Sequence, residues 1–176
     1  MVVRSKRFNL YLLSMAAICL LNGCLGPEHA RKRQAATLSL HLETSARTGN
    51  GAQSVSIFRS NPIEFTVETQ PFVTEAFVSE AKVISVMDGF AISIQFDRRG
   101  SWLLEQYSSG NRGRRFAVHA RFGKDLQEDR WLAAPVINGA ISKGVLTFTP
   151  DATREESDQL VLGLNNVARK IQDKSP

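Results

Sequence analysis

Residues Phe90 to Phe96 alternate without a break. Phe90, Ile92, Ile94 and Phe96 stand against the smaller or polar Ala91, Ser93 and Gln95. A period of two sends successive side chains to opposite faces, so this is a strand with one buried face. The same period runs through Leu38, Leu40 and Leu42 (against Ser39, His41 and Glu43), through Ile63, Phe65 and Val67, and through Phe116, Val118, Ala120 and Phe122. Helical spacing is found over Asp97 to Ser109, where Trp102, Leu103, Gln106 and Tyr107 share a side, and in the last segment. There Leu160, Val161, Leu164, Val167, Ala168 and Ile171 make an apolar stripe. Thr153 and Glu156 form a capping-box pair ahead of it, with Asp151 as an alternative cap, and Lys170 and Lys174 suit its C-terminal end. Thr74 to Ile84 reads as a short helix with Phe77, Ala81 and Ile84 on one side. Strands and helices do not alternate as regular βαβ units. The expected class is therefore α+β: a mixed or antiparallel sheet with helices packed mainly on one face.

Turn residues punctuate these segments. Arg47 to Gly51, with Asn50-Gly51, predicts a tight hairpin that returns the first strand through Val55 to Phe58. Asn61-Pro62, Pro71, Asp88-Gly89 and Asn111 to Gly113 mark further breaks, and Gly123 to Asp129 is a polar loop. Trp131 to Ile137 is apolar but contains Pro135, which lacks a ladder donor, so it is an edge or irregular strand. Val145 to Phe148 is a short strand. No internal repeat is present.

The N-terminus has a different character. Arg4, Lys6 and Arg7 precede an apolar run from Phe8 to Leu21, followed by Leu21-Asn22-Gly23-Cys24. An apolar run of about 14 residues is short for a membrane-spanning helix, which needs roughly 20, but it suits an export signal. The segment resembles a bacterial lipoprotein signal. That resemblance implies cleavage before Cys24 and acylation of its thiol, with Asn22 a mild departure from the usual Ala, Ser or Thr. Leu25 follows the cysteine where an Asp would favour retention at the inner membrane, so the expected address is the outer membrane, facing the periplasm. The expected organisation is a signal over 1–23, the lipidated Cys24 and a tether over 24–35, and a single domain over 36–176. Arg31-Lys32-Arg33 lies in the tether, where it is a solvated linker or a contact to anionic head groups.

Charge and cysteine content narrow the function classes. The chain carries 22 basic and 17 acidic residues, a net +5. The signal holds three of the basic residues, which leaves 19 against 17, a net +2. So modest an excess gives no reason to expect a nucleic acid partner. The chain has two cysteines, Cys19 inside the signal and Cys24 at the lipidation site. The domain is left without a disulfide, a cysteine nucleophile or a thiolate metal site, and its stability must come from its core.

From about Phe65 to Lys170 an ordered set of motifs is present. Phe96-Asp97 with Gly100 is followed by Asn111-x-Gly113-Arg114 and Ala134-Pro135-Val136-Ile137, then by Ile141-Ser142-x-Gly144 and Phe148-Thr149-Pro150-Asp151 before the last helix. In this order they resemble the periplasmic head region of the protein-export subunit SecD. The resemblance implies that family's head fold over 65–170. It does not extend to the transmembrane helices through which SecD couples to ion flow, because no further apolar span follows the signal.

No set of residues announces catalysis. His29, His41 and His119 are far apart in sequence and none has a metal-ligand spacing. His41 falls on the polar side of its strand and reads as a solvated or core-edge histidine. Asp125 with Glu128 and Asp129 lies in a polar loop, and Glu155-Glu156 lies at a helix start where carboxylates favour the dipole. No catalytic, metal or cofactor residues are assigned. Arg98, Arg99, Arg112, Arg114 and Arg115 flank one predicted helix and would form a patch for an anionic partner if its two ends served one face. Trp102, Tyr107 and Trp131 are core residues or peptide-binding aromatics. The expected protein is a non-enzymatic binding module of the envelope, with the lipid bilayer and envelope or exported proteins as partners. An accessory role in protein export and an envelope hydrolase are the alternatives.

Overall fold

A computed structural model describes residues 33–45, 49 and 51–174. The signal, Cys24, His29 and most of the Arg47 to Gly51 turn lie outside the described residues. From Arg33 the chain forms one compact unit. Its strands are β1 (Thr37–Leu42), β2 (Ala52–Ile57), β3 (Ile63–Glu68), β4 (Val73–Thr74), β5 (Val78–Val86), β6 (Gly89–Phe96), β7 (Phe116–Phe122), β8 (Glu128–Ala133) and β9 (Val145–Phe148). Its α-helices are α1 (Arg98–Gly110) and α2 (Arg154–Gln172). The strands form sheets in the orders β4-β1-β7-β8, β2-β3 and β5-β6-β9, and every ladder is antiparallel. Among the described residues no helix is long and apolar enough to cross a membrane.

The alternating strands build the main core. Leu38, Leu40 and Leu42 of β1 and Phe116, Val118, Ala120 and Phe122 of β7 are buried with Ile92, Ile94 and Phe96 of β6, and helix residues Leu104, Leu160 and Leu164 join them. The opposite face of β1, β7 and β8 is covered as well. There β2 and β3 contribute Val55, Ile57 and Val67, which pack around Ala117 with Phe65, Trp131 and Ala134. The class is α+β as expected, with helices on one side and a hairpin on the other.

Both helices begin where their caps place them. The Asp97 carboxylate accepts the Gly100 N–H at 2.7 Å to start α1. Thr153 Oγ1 accepts the Glu156 N–H at 3.2 Å, and Glu156 returns a carboxylate oxygen to the Thr153 N–H at 2.7 Å. Asp151 is not the cap; its carboxylate accepts the Arg59 N–H at 2.8 Å.

Four local expectations are corrected. Thr74 to Ile84 is not a helix: after a single 3-10 turn at Glu75–Phe77 it becomes β5, paired with β6 from Val78↔Phe96 to Val86↔Gly89. Val78, Val83, Ile84 and Val86 are β-branched, and the ladder to β6 satisfies every register from Glu80 onward, so strand propensity and pairing win together. The strand after Gly51 does not return on β1; β2 pairs with β3 from Ala52↔Glu68 to Ile57↔Ile63. Trp102 is 61% exposed rather than in the core. Gly100 sets that rotation: a Cβ there would lie 2.7 Å from the Phe77 Cβ, so the stripe Gly100, Leu104, Ser108 faces the sheet and Trp102 points away. Finally, β8 starts at Glu128 and ends at Ala133, earlier than Trp131 to Ile137. Pro135 is outside it, and Val136 makes only an isolated bridge to Arg115.

Candidate functional site

The segment after β8 runs back along α1 and is stitched to it step by step. Gly113 N–H donates to the Ile137 carbonyl at 2.9 Å, and Ile137 N–H donates to the Arg114 carbonyl at 2.8 Å. Further along, Ile141 N–H donates to Ser108 Oγ at 2.8 Å. At the far end Phe96 N–H donates to the Gly144 carbonyl at 2.9 Å, and a Cβ on Gly144 would collide with Ser101. Residues 137–144 therefore pass antiparallel to α1 for most of its length, about 20 Å for 13 residues at 1.5 Å each.

Between this segment and β9 lies a groove of about 320 Å³. Phe116, Pro135, Val136, Ile137, Asn138, Gly139, Ala140 and Ile141 line one side, and Val145, Leu146 and Thr147 line the other. Consecutive strand side chains point to opposite faces, so three in a row border one cavity only across the strand's edge. β9 ends its sheet, with β6 on its other side. Such an edge offers main-chain donors and acceptors to an incoming strand. At the other end of that sheet one residue is capped: the Asn165 side chain of α2 bonds both the N–H and the carbonyl of Ala81 on β5.

The sequence matches the family described as SecDF, P1 head subdomain, over residues 52–168. The chain belongs to that SecDF head family. The ordered motifs from Phe96 to Asp151 lie within the match, and parts of two of them build the groove: Pro135 to Ile137 and Ile141 line it, and Ser142 to Gly144 lead on into β9. Two solved structures share the head fold. One is described as a membrane component SecDF that enhances protein export; it is 17% identical with a TM-score of 0.55, and the match covers 79% of this chain and 66% of that one. The other is a crystal structure of SecDF in a super-membrane-facing form, 18% identical with a TM-score of 0.55, with 81% of this chain and 21% of that one covered. The SecDF head of this chain thus spans only part of either protein. A comparison with curated proteins found no match.

The five arginines divide between the two ends of α1 in this head domain. Arg98 and Arg99 open the helix, with the Arg99 guanidinium 5.6 Å from the Phe77 ring centre. Arg112, Arg114 and Arg115 follow its C-terminus. Arg115 is half-buried and donates to the Ala134 carbonyl at 3.1 Å, while Arg114 donates to Asn111 Oδ1 at 3.1 Å. Arg112 lies beside one lining residue of the groove: one of its terminal nitrogens would lie 4.0 Å from a Cβ on Gly139. The helix keeps the two arginine groups apart, and the groove wall runs between them.

The structure brings two of the three histidines together, which their sequence spacing concealed. His41 and His119 flank Trp131, with ring centres 5.0 and 4.8 Å from it. His41 is buried under the β2–β3 hairpin. Its Nδ1 lies 2.8 Å from the Glu68 carbonyl oxygen, which can only accept, so Nδ1 carries the proton and Nε2 accepts from Ser39 Oγ at 3.0 Å. Burial pushes the His41 imidazole below its ordinary value of 6.5; the Glu68 bond opposes this and the nearby His119 adds to it. His119 Nε2 meets the Asp129 carboxylate at 2.7 Å, and Arg121 meets the same carboxylate at 3.3 Å. Glu128 pairs with Arg130 instead. Among the described residues no three His, Cys, Asp or Glu side chains converge as a metal-ligand set. Alternation placed His41 on the polar side of β1 correctly; what could not be read was that a hairpin from elsewhere would cover that side.

Proposed function

We propose that this chain is a lipid-anchored, non-enzymatic module of the cell envelope that binds extended polypeptide by adding a strand to β9. One observation carries the binding reading: β9 is the terminal strand of its sheet and its outer edge borders a groove, while on the opposite edge Asn165 occupies the main-chain groups of Ala81. Strand addition supplies main-chain hydrogen bonds, which suit partners of varied sequence, and side-chain recesses add selectivity. Exported or envelope proteins with exposed extended segments are the partners this chemistry fits.

Anchoring is proposed through acylated Cys24, on the outer membrane and facing the periplasm. Several acyl chains hold a protein firmly where one holds it marginally. Cys24→Ser should release the protein from the membrane fraction. Retention of the variant on membranes through a high-salt wash would overturn the anchor.

The binding reading is tested by placing a photo-crosslinking residue at Thr147 on the groove side of β9, with Lys170 on α2 as the control position. Thr147 should capture polypeptides in intact envelopes and Lys170 should not. Recovery of the uncrosslinked chain alone from both positions counts against binding at β9.

A second reading, an accessory role in protein export, is favoured by the head fold shared with a SecDF described as enhancing protein export. Export kinetics that are unchanged in a deletion strain would sink it.

A further inference from the structure

We infer that the β9 groove selects extended polypeptide segments in which an acidic residue adjoins a short apolar stretch. The inference rests on the reading of β9 as a strand-accepting edge and names what that edge prefers. The groove's floor is apolar, with Phe116, Ile137, Ile141 and Leu146. Among the described residues no acidic side chain lines it. Two cations stand beside that lining without belonging to it: Arg112, with a terminal nitrogen 4.0 Å from a Cβ on Gly139, and exposed Lys143, in the turn that joins Ile141 to Val145.

Arg59, Arg121 and Arg130 each pair with Asp or Glu, whereas among the described residues Arg112 and Lys143 form no ion pair. An incoming strand with an aspartate or glutamate beside its apolar residues would supply the missing charge, and guanidinium binds carboxylate through two parallel hydrogen bonds.

Charge also argues against the other occupants. The chain's own tether carries Arg31-Lys32-Arg33 and would be repelled by these two cations. A second copy pairing β9 with β9 would bring the cations of both copies together, and like charges across paired strands are unfavourable.

The test uses the full chain in detergent micelles and fluorescent ten-residue Val/Thr peptides with one central residue varied: Asp, Asn or Lys. At low salt the Asp peptide should bind about fivefold tighter than the Asn peptide, the scale of one partly exposed ion pair, and the Lys peptide should bind weakest. The Asp advantage should shrink in Arg112→Gln and Lys143→Gln and at high salt, and should persist in the control Arg169→Gln. Equal binding of the Asp and Asn peptides overturns the selectivity and leaves strand addition standing. Failure of all three peptides to bind overturns both. A preference for Lys, or binding that needs a free C-terminal carboxylate in place of the internal Asp, also overturns the inference.

Discussion

The Asn165 carboxamide stands in for a missing strand beside Ala81. Its Oδ1 accepts the Ala81 N–H at 2.8 Å, and its Nδ2 donates to the Ala81 carbonyl at 2.9 Å. A helix side chain thereby satisfies one residue's worth of strand edge on β5. Asn165→Ala should destabilise the domain by about 1–3 kcal/mol, because two main-chain groups lose their partners, and should raise its tendency to self-associate along β5. Asn165→Asp keeps an acceptor but loses the donor and should not restore stability. Urea unfolding followed by circular dichroism measures the first effect, and light scattering the second.

Gly163 lets the start of the domain lie against α2. A Cβ there would fall 2.7 Å from the Ala36 Cβ and 2.8 Å from the backbone of Ala35 and Ala36, and Asn166 Nδ2 holds the Gln34 carbonyl nearby at 2.9 Å. Backbone cannot yield as a flexible side chain can. Gly163→Val should cost about 1–3 kcal/mol through overpacking and should expose residues 33–36 to protease. Undiminished stability together with an unchanged cleavage pattern would contradict the close packing.

Glu156 serves the helix cap and two arginines, Arg130 and the more distant Arg59 at 3.6 Å, and substitutions separate the cap from the charge. It closes the capping box with Thr153, and its other oxygen lies 2.9 Å from Arg130 Nη2, a half-buried guanidinium held there by charge rather than by an aligned hydrogen bond. Glu156→Gln keeps a residue suited to the capping box but leaves Arg130 with Glu128 and Arg59 with Asp151 as their remaining ion pairs among the described residues. Thr153→Ala removes the cap and keeps the ion pair. Each should cost on the order of 1 kcal/mol. The Glu156→Gln loss should diminish in high salt and the Thr153→Ala loss should not.

His41 should make stability depend on pH. Its folded-state value lies below the ordinary 6.5, so the unfolded chain takes up a proton first as pH falls. The stabilisation held by the neutral imidazole is complete above about pH 7.5 and is lost as pH falls through 6.5 towards the folded value, by at most about 1.4 kcal/mol per pH unit. The slope of unfolding free energy between pH 7.5 and 5.5 should flatten in His41→Gln. Equal slopes in the two proteins would remove His41 as the cause.

Much of the fold was legible because its signals are local. Leu38, Leu40 and Leu42 and the run Phe116 to Phe122 declare strands by alternation, and Thr153 with Glu156 declares a helix start, since each signal needs only neighbours in the chain. The helix expected over Thr74 to Ile84 failed because Phe77, Ala81 and Ile84 fit helical spacing as well as they fit a strand, and only the ladder to β6 separates the two. Trp102 was misplaced for a related reason: the rotation of α1 is fixed by Gly100 against Phe77, a contact between residues far apart in sequence. Of the groove, the motifs Ala134 to Ile137 and Ile141 to Gly144 were visible, as were Arg112, Arg114 and Arg115. That Pro135 to Ile137 and Ile141 would line a groove with β9, with Arg112 beside it, was not.

By itself the sequence determined the strand and helix periods, the caps, the α+β class and the family likeness, because these follow from the order of residues and the geometry of the backbone. Tertiary structure alone decided which edge is capped at Ala81 and which borders a groove, that β2 and β3 bury His41, and that the arginines at the two ends of α1 are separated by the wall of one groove. Those outcomes depend on contacts between distant segments, where packing and pairing choose among arrangements that local periodicity leaves equal.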